Sequence, residues 1–239
     1  MKNYLVVFLL IFNVPSIFSQ PKLGEFDHQG EIITSDGQSK KGIIRVYANE
    51  SSPWLFQSKI RFMEDSKWLT LSKTPKNKEF EKYGPEDIKA YMLSDLGVNY
   101  MSKPFSDMSS ISLKMASTLY FMKVIESGKL SIYHYYDAPP NVYVGSTEDY
   151  RAMKEEAMNN YVLLQQNDGK LKNITDVDIK KLIADCPSVL ADYESGKYGI
   201  SPLDTGKKKG LSKFISKVID SNRMKEYIAP VIKDYNNCK

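Results

Sequence analysis

Few residue types in this chain are suited to chemistry, and their spacing restricts them further. The only histidines are His28 and His134, and the only cysteines are Cys186 and Cys238. No Cys or His spacing resembles a zinc ligand set, so no metal or cofactor is expected. The chain has no H-E-x-x-H helix and no glycine-rich phosphate or dinucleotide loop. It also lacks a G-x-S-x-G nucleophile elbow. Asp176 and Asp178 begin like a calcium loop but lack its glycine and its terminal bidentate glutamate, so they read as helix caps. A carboxylate pair for glycoside hydrolysis forms only in three dimensions, and none is nominated among the 29 acids. No catalytic residue is therefore expected. His134 reads as a strand residue, exposed or hydrogen-bonded, and His28 as part of a loose N-terminal stretch.

The compositional oddity is tyrosine, with 16 in 239 residues. Tyr133, Tyr135, Tyr136 and Tyr143 cluster around Pro139-Pro140. A tyrosine offers a flat apolar ring with a polar tip, which suits sugar or peptide contact. Tyr133 and Tyr135 fall on one face of the expected strand, and Trp54 sits in the loop Ser51-Ser52-Pro53-Trp54. These three are the candidate ligand-binding residues. The competing reading is cross-strand aromatic packing for the tyrosines and a plug over the core for Trp54. The net charge of +4, or +3 without Lys2, is too small to indicate a nucleic-acid partner. The one dense basic run, Lys207-Lys208-Lys209, reads as a solvated loop.

The elements that must position these residues change character along the chain. Strands are expected at 31–34 and 41–47 around the Asp36-Gly37 turn, then at 58–63, 67–72, 90–93, 97–101 and 111–116. Adjacent Ile43 and Ile44 imply a strand buried on both faces or carrying a bulge. Pro85 followed by Glu86 and Asp87 reads as a single helical turn. The clearest hairpin is Thr118 to Tyr136, with Leu130, Ile132, His134 and Tyr136 on one face of its second arm and Ser131, Tyr133 and Tyr135 on the other. A short edge strand at 142–144 and a helix capped by Ser146 and Asp149 precede a last hairpin at 161–174. From Thr175 the apolar period becomes helical, with Thr175 and Asp178 as a second capping pair. A helix starts at Pro187, a loop covers 195–210, and a final helix covers 211–235, which Pro230 should kink or interrupt. The class is α+β. An N-terminal antiparallel β-rich body (20–174), a meander of barrel or sandwich type, is followed by a C-terminal helical segment (175–239) packed on it.

Residues 1–19 have the layout of a secretory signal peptide. Lys2 precedes the apolar run Tyr4 to Phe12, Asn13 and Pro15 break it, and Ser19 stands before Gln20. The run is well short of the roughly 20 residues that span a bilayer, so cleavage after Ser19 is expected and no span remains. An exported chain meets an oxidising compartment, where Cys186 and Cys238 are expected to pair; the alternative is two free thiols.

Several segments taken in order carry a resemblance. They are Gly30-Glu31-Ile32-Ile33 with Lys41-Gly42-Ile43-Ile44, Ser58 to Phe62, Tyr83 to Lys89, Gly128 to Tyr133, Asp185-Cys186-Pro187 and Tyr235 to Cys238. Together they resemble exported proteins of the Bacteroidota that have no established activity, so no site residue carries over. The resemblance implies a Gram-negative envelope setting and supports the Cys186–Cys238 pairing. The chain lacks a C-terminal β-sandwich sorting domain, which favours the periplasm or the periplasmic face of the outer membrane over release to the exterior. The functional expectation is a non-catalytic, envelope-associated interaction protein with a protein partner. The alternative is a small-molecule or glycan-binding module with an aromatic-lined β-surface.

Overall fold

The computed structural model describes residues 21–49, 51–105, 118–136, 138, 145–159, 161–199 and 225–238, without the side chains of 154–159. Ten strands form one antiparallel sheet: β1 (Asp27–Thr34), β2 (Ser39–Arg45), β3 (Ile60–Glu64), β4 (Glu81–Tyr83), β5 (Ile88–Leu93), β6 (Val98–Phe105), β7 (Thr118–Glu126), β8 (Leu130–His134), β9 (Val162–Gln166) and β10 (Lys172–Asn173). Their order is β10-β9-β8-β7-β6-β5-β1-β2-β3-β4. Two meanders are thus joined along β1 and β5. The sheet remains open, and its edges are the short strands β4 and β10, which offer little template for pairing with another chain. The helices are α1 (Asp65–Trp68), α2 (Thr147–Asn159), α3 (Ile179–Leu182) and α4 (Pro187–Glu194), and α5 over residues 225–236. The architecture is α+β, with a strand-rich N-terminal part and mostly C-terminal helices.

Alternation within the strands gives the sheet an inner and an outer face. On the inner face Ile32, Ile44, Ile60, Phe62, Tyr91, Leu93, Tyr100 and Phe121 form one core, capped by Phe56 from the loop between β2 and β3. Farther along the same face, Leu130, Ile132, Val162 and Leu164 form a second core with side chains of α3, α4 and α5. The outer face carries two smaller clusters. Ile43, Met63, Trp68 and Phe80 lie towards β3, and Met122, Tyr133, Tyr135 and Leu163 lie towards β9. Ile43 and Ile44 are accordingly buried on opposite faces, as their adjacency implied. Gly30 and Gly42 stand opposite each other in β1 and β2. A Cβ on Gly30 would lie 2.1 Å from the carbonyl oxygen of Met92, and one on Gly42 equally close to that of Met63, so the backbone approaches there only because both residues are glycine.

Several expectations change. Residues 67–72 do not form a strand. Asp65 starts one turn of helix, which buries Trp68 against the outer face and leaves Leu69 exposed. The alternating apolar pattern there belongs to a helical turn, because the sheet edge is taken by β4. Pro85 to Asp87 form a turn and not a helix, with the Asp87 carboxylate accepting from the N–H of Gly84 at 2.7 Å. His28 is not in a loose stretch: β1 begins at Asp27, and His28 Nδ1 lies 2.9 Å from Asp95. The cap before α3 is Asp178, while Thr175 belongs to a 3-10 turn capped by Asn173. The helix at 225–236 continues through the exposed Pro230. The expected strands at 111–116 and 142–144, the run Lys207-Lys208-Lys209 and the leader lie outside the described residues.

The strand pair β1–β2 is closed by a buried ion pair. Arg45 donates from Nε and Nη2 to the two oxygens of Asp27, and from Nη1 to the carbonyl of Pro75 at 3.1 Å and Oδ1 of Asn77 at 2.9 Å. Its guanidinium lies 4.1 Å from the centre of the Phe80 ring. Removing one partner of such a pair strands the other charge. Asp27→Ala should therefore cost about 3–5 kcal/mol in urea unfolding, and the double variant Asp27→Ala/Arg45→Leu distinctly less.

Candidate functional site

The tyrosine-rich arm is β8, and its register decides what meets what. Tyr100, Lys123, His134 and Val162 lie in line across β6, β7, β8 and β9. Leu119, Phe121, Lys123 and Ile125 alternate along the inner face of β7, so Lys123 interrupts an apolar row. His134 does the same in the row Leu130, Ile132, His134, Tyr136. His134 is buried, and its ring centre lies 4.1 Å from that of Tyr136. Tyr100 and Tyr136 are buried as well. Burial pushes the Tyr136 phenol up to about 12, and burial together with Tyr136 raises that of Tyr100 further. Both phenols therefore remain hydrogen-bond donors at neutral pH.

Two covers reach this line from remote parts of the chain. The first is the loop between β2 and β3, which contains a 3-10 turn over Pro53–Gln57. Gln57 Nε2 donates to the carbonyl of Tyr136 at 2.6 Å, and the N–H of Tyr136 donates to Gln57 Oε1 at 2.6 Å. The Tyr91 hydroxyl donates to the carbonyl of Phe56 at 2.6 Å, and the Phe56 ring stacks on Tyr100. Trp54 is half-buried in this turn, whose Phe56 packs on the inner face.

The second cover is α5. Its residue Asn236 accepts from the N–H of Leu130 at 2.9 Å and donates to the carbonyl of the same residue at 2.8 Å. The Cys186–Cys238 disulfide fastens the same end, as expected from the sequence. Nearby, the exposed Asp185 carboxylate receives Lys129 and the Tyr235 hydroxyl, contacts that hold it below its ordinary range. Ile228, Val231, Ile232 and Tyr235 of α5 are buried over β8 and β9. From Asn236 back to Lys225 the helix extends about 16 Å, while Leu130 to His134 spans about 13 Å of strand. Lys225 lies close enough to Lys123 for the two charges to act on each other, and Lys123 pairs with His134 in register. Lys225 occupies a position of the apolar stripe (225, 228, 232, 235) and is half-buried. Burial, and then the charge of Lys123, lower its pKa.

The other candidates lie on the opposite face. Tyr133 and Tyr135 point outward and are buried, 3% and 8% exposed. Tyr135 packs with Phe105 at 4.7 Å, Tyr120 at 5.0 Å and Tyr161 at 6.0 Å between ring centres, while the Lys103 ammonium lies 5.0 Å over the Tyr133 ring. Phe105, Tyr120 and Tyr161 are partly open to solvent. The structure therefore brings Tyr133 and Tyr135 together and places the turn that carries Trp54 on the other side of the sheet.

Sequence reasoning passed over Gln57, Lys123 and Lys225. The signal for the two lysines was present, since each falls at an apolar position of its element's period. No three His, Cys, Asp or Glu side chains gather in a metal-sized group among the described residues, and no helix among them is long and apolar enough to cross a membrane. No protein family, curated protein or solved structure matches the chain.

The Gln57 clamp gives a direct test. Gln57→Ala removes two hydrogen bonds and leaves a buried N–H and C=O of Tyr136 without that partner. It should cost about 2–3 kcal/mol, read from the shift of the urea midpoint, and amide exchange at Tyr136 should accelerate.

Proposed function

We propose that the protein is an exported, non-catalytic interaction protein of the cell envelope, residing in the periplasm or on the periplasmic face of the outer membrane. The observation that carries this reading is the Cys186–Cys238 bridge, which fastens the end of α5 to the start of α4. A structural disulfide of this kind fits an oxidising compartment. The polar side chains support a scaffold role. Asp27 holds Arg45, the Asp149 carboxylate accepts from the N–H of Ser146 in a capping box, Asp178 caps α3, and Asp185 links Lys129 in the turn before β8 to Tyr235 of α5.

Expressed with residues 1–19 in a Gram-negative host, the chain should appear in the periplasmic fraction, begin at Gln20 and carry no free thiol. In-cell crosslinking followed by mass spectrometry should then return one reproducible envelope protein. Cytoplasmic retention with two reactive thiols would overturn export, and a free monomer without a partner would overturn the interaction reading.

A second reading, a small-molecule or glycan-binding module, draws on the outer-face aromatic cluster. The rings of Phe105, Tyr120 and Tyr161 are partly accessible over the buried Tyr133 and Tyr135, an arrangement suited to stacking against a sugar face. Under this reading Tyr120→Ala abolishes a saturable change in tyrosine fluorescence on addition of oligosaccharide, while leaving the unfolding midpoint within about 1 kcal/mol of the parent, as expected for a partly exposed position.

A further inference from the structure

We propose that Lys123 and Lys225, converging beside His134 on the inner face, form a binding site for an oxyanionic group of a small ligand. The site does not depend on the interaction reading.

Both lysines occupy positions that their elements otherwise fill with apolar side chains, both residues are half-buried, and burial acts on the Lys225 ammonium. Taking a charge out of water is unfavourable without a counter-charge, and bringing two like charges together adds to the cost. Half-buried lysines in a scaffold normally meet a carboxylate. The ion pairs formed among the described residues engage Lys40, Arg45, Lys129, Lys180, Lys181, Lys197 and His28, and include neither Lys123 nor Lys225. The acid that acts on Lys225 is its exposed neighbour Glu226.

The surroundings suit an anion. Tyr100 and His134 flank Lys123 in register, and the His134 ring packs at a tilt on Tyr136, so the surroundings of Lys123 include phenol groups as well as apolar side chains. The apolar cores on either side lower the local dielectric, which strengthens ammonium–oxyanion contacts over those at an exposed surface. An anion there neutralises two charges at once. Burial, and then the charge of Lys123, lower the pKa of Lys225, and an anion between the two lysines would oppose that shift.

The test uses the oxidised chain 20–239 in buffer of fixed ionic strength, with inorganic phosphate, sulfate and citrate as probes and sodium chloride as reference. Calorimetry should give saturable binding of at least one probe. The phosphate and citrate arms separate a phosphate-bearing from a carboxylate-bearing natural ligand. Lys123→Gln and Lys225→Gln should each weaken binding by about tenfold or more, the scale of one lost charge-assisted contact. Lys225→Arg should retain it, and so should Lys197→Gln at an exposed pair away from the site. In the unsubstituted protein, the side-chain NMR titration of Lys225 should move to higher pH when the probe is added, a readout that needs no variant to fold. No saturable binding of any probe, parent-like affinity in both glutamine variants, or an unmoved Lys225 titration would each overturn the proposal.

Discussion

Two side-chain amides hold β8 at its ends, and the rest of the molecule depends on them. Gln57 exchanges a pair of hydrogen bonds with Tyr136, just past the end of the strand, and Asn236 exchanges a pair with Leu130 at its start. A carboxamide carries one donor group and one acceptor in nearly the geometry of a peptide unit, so each substitutes locally for a neighbouring strand. An open sheet with an apolar inner face must cover that face with something that is not sheet. Here the covers are a loop from the first meander and a helix from the far end of the chain, and the amides fix where each one lies.

The two covers divide the inner face into two apolar cores with a polar line between them. That line runs through Tyr100, Lys123 and His134. It falls between the loop that carries Gln57 and the helix α5. The outer face follows a different plan. Trp68 and Phe80 close it at one end and a tyrosine-rich cluster closes it at the other, with the ion pair of Asp27 and Arg45 fastening the strand pair between β5 and β3.

Much of this was legible where period and turn chemistry are local. The alternation of Leu130, Ile132 and His134 against Ser131, Tyr133 and Tyr135 placed the faces of β8 correctly, the Asp36-Gly37 turn located the first hairpin, and Pro187 marked the start of α4. Local pattern failed where tertiary demand outweighed it. Residues 67–72 alternate like a strand, yet the edge beside β3 is occupied by β4, and Trp68 is buried better by a single helical turn. Pro230 lacks only one donor, and the burial of Ile228, Val231 and Ile232 around it outweighs that loss. Gln57 and Asn236 were unreadable for another reason: an amide in a loop or at a helix end looks ordinary until its partner, 79 or 106 residues away, is known. Trp54 and the tyrosines looked like one aromatic site because sequence does not tell which side of a sheet a distant loop will cross.

The fastening of Asn236 and Cys238 to the β8 region also has a consequence in time. The strands of the second meander can pair as they are made, since their contacts are mostly between neighbours in the chain. The core formed by Leu130, Ile132 and Val162 cannot close until residues 225–238 exist and have found their place across a separation of some hundred residues. Contacts that distant are entropically slow to form. The nascent chain therefore passes through a stage in which half of its sheet is built and one apolar face is still bare, the form most open to capture by a chaperone or to aggregation.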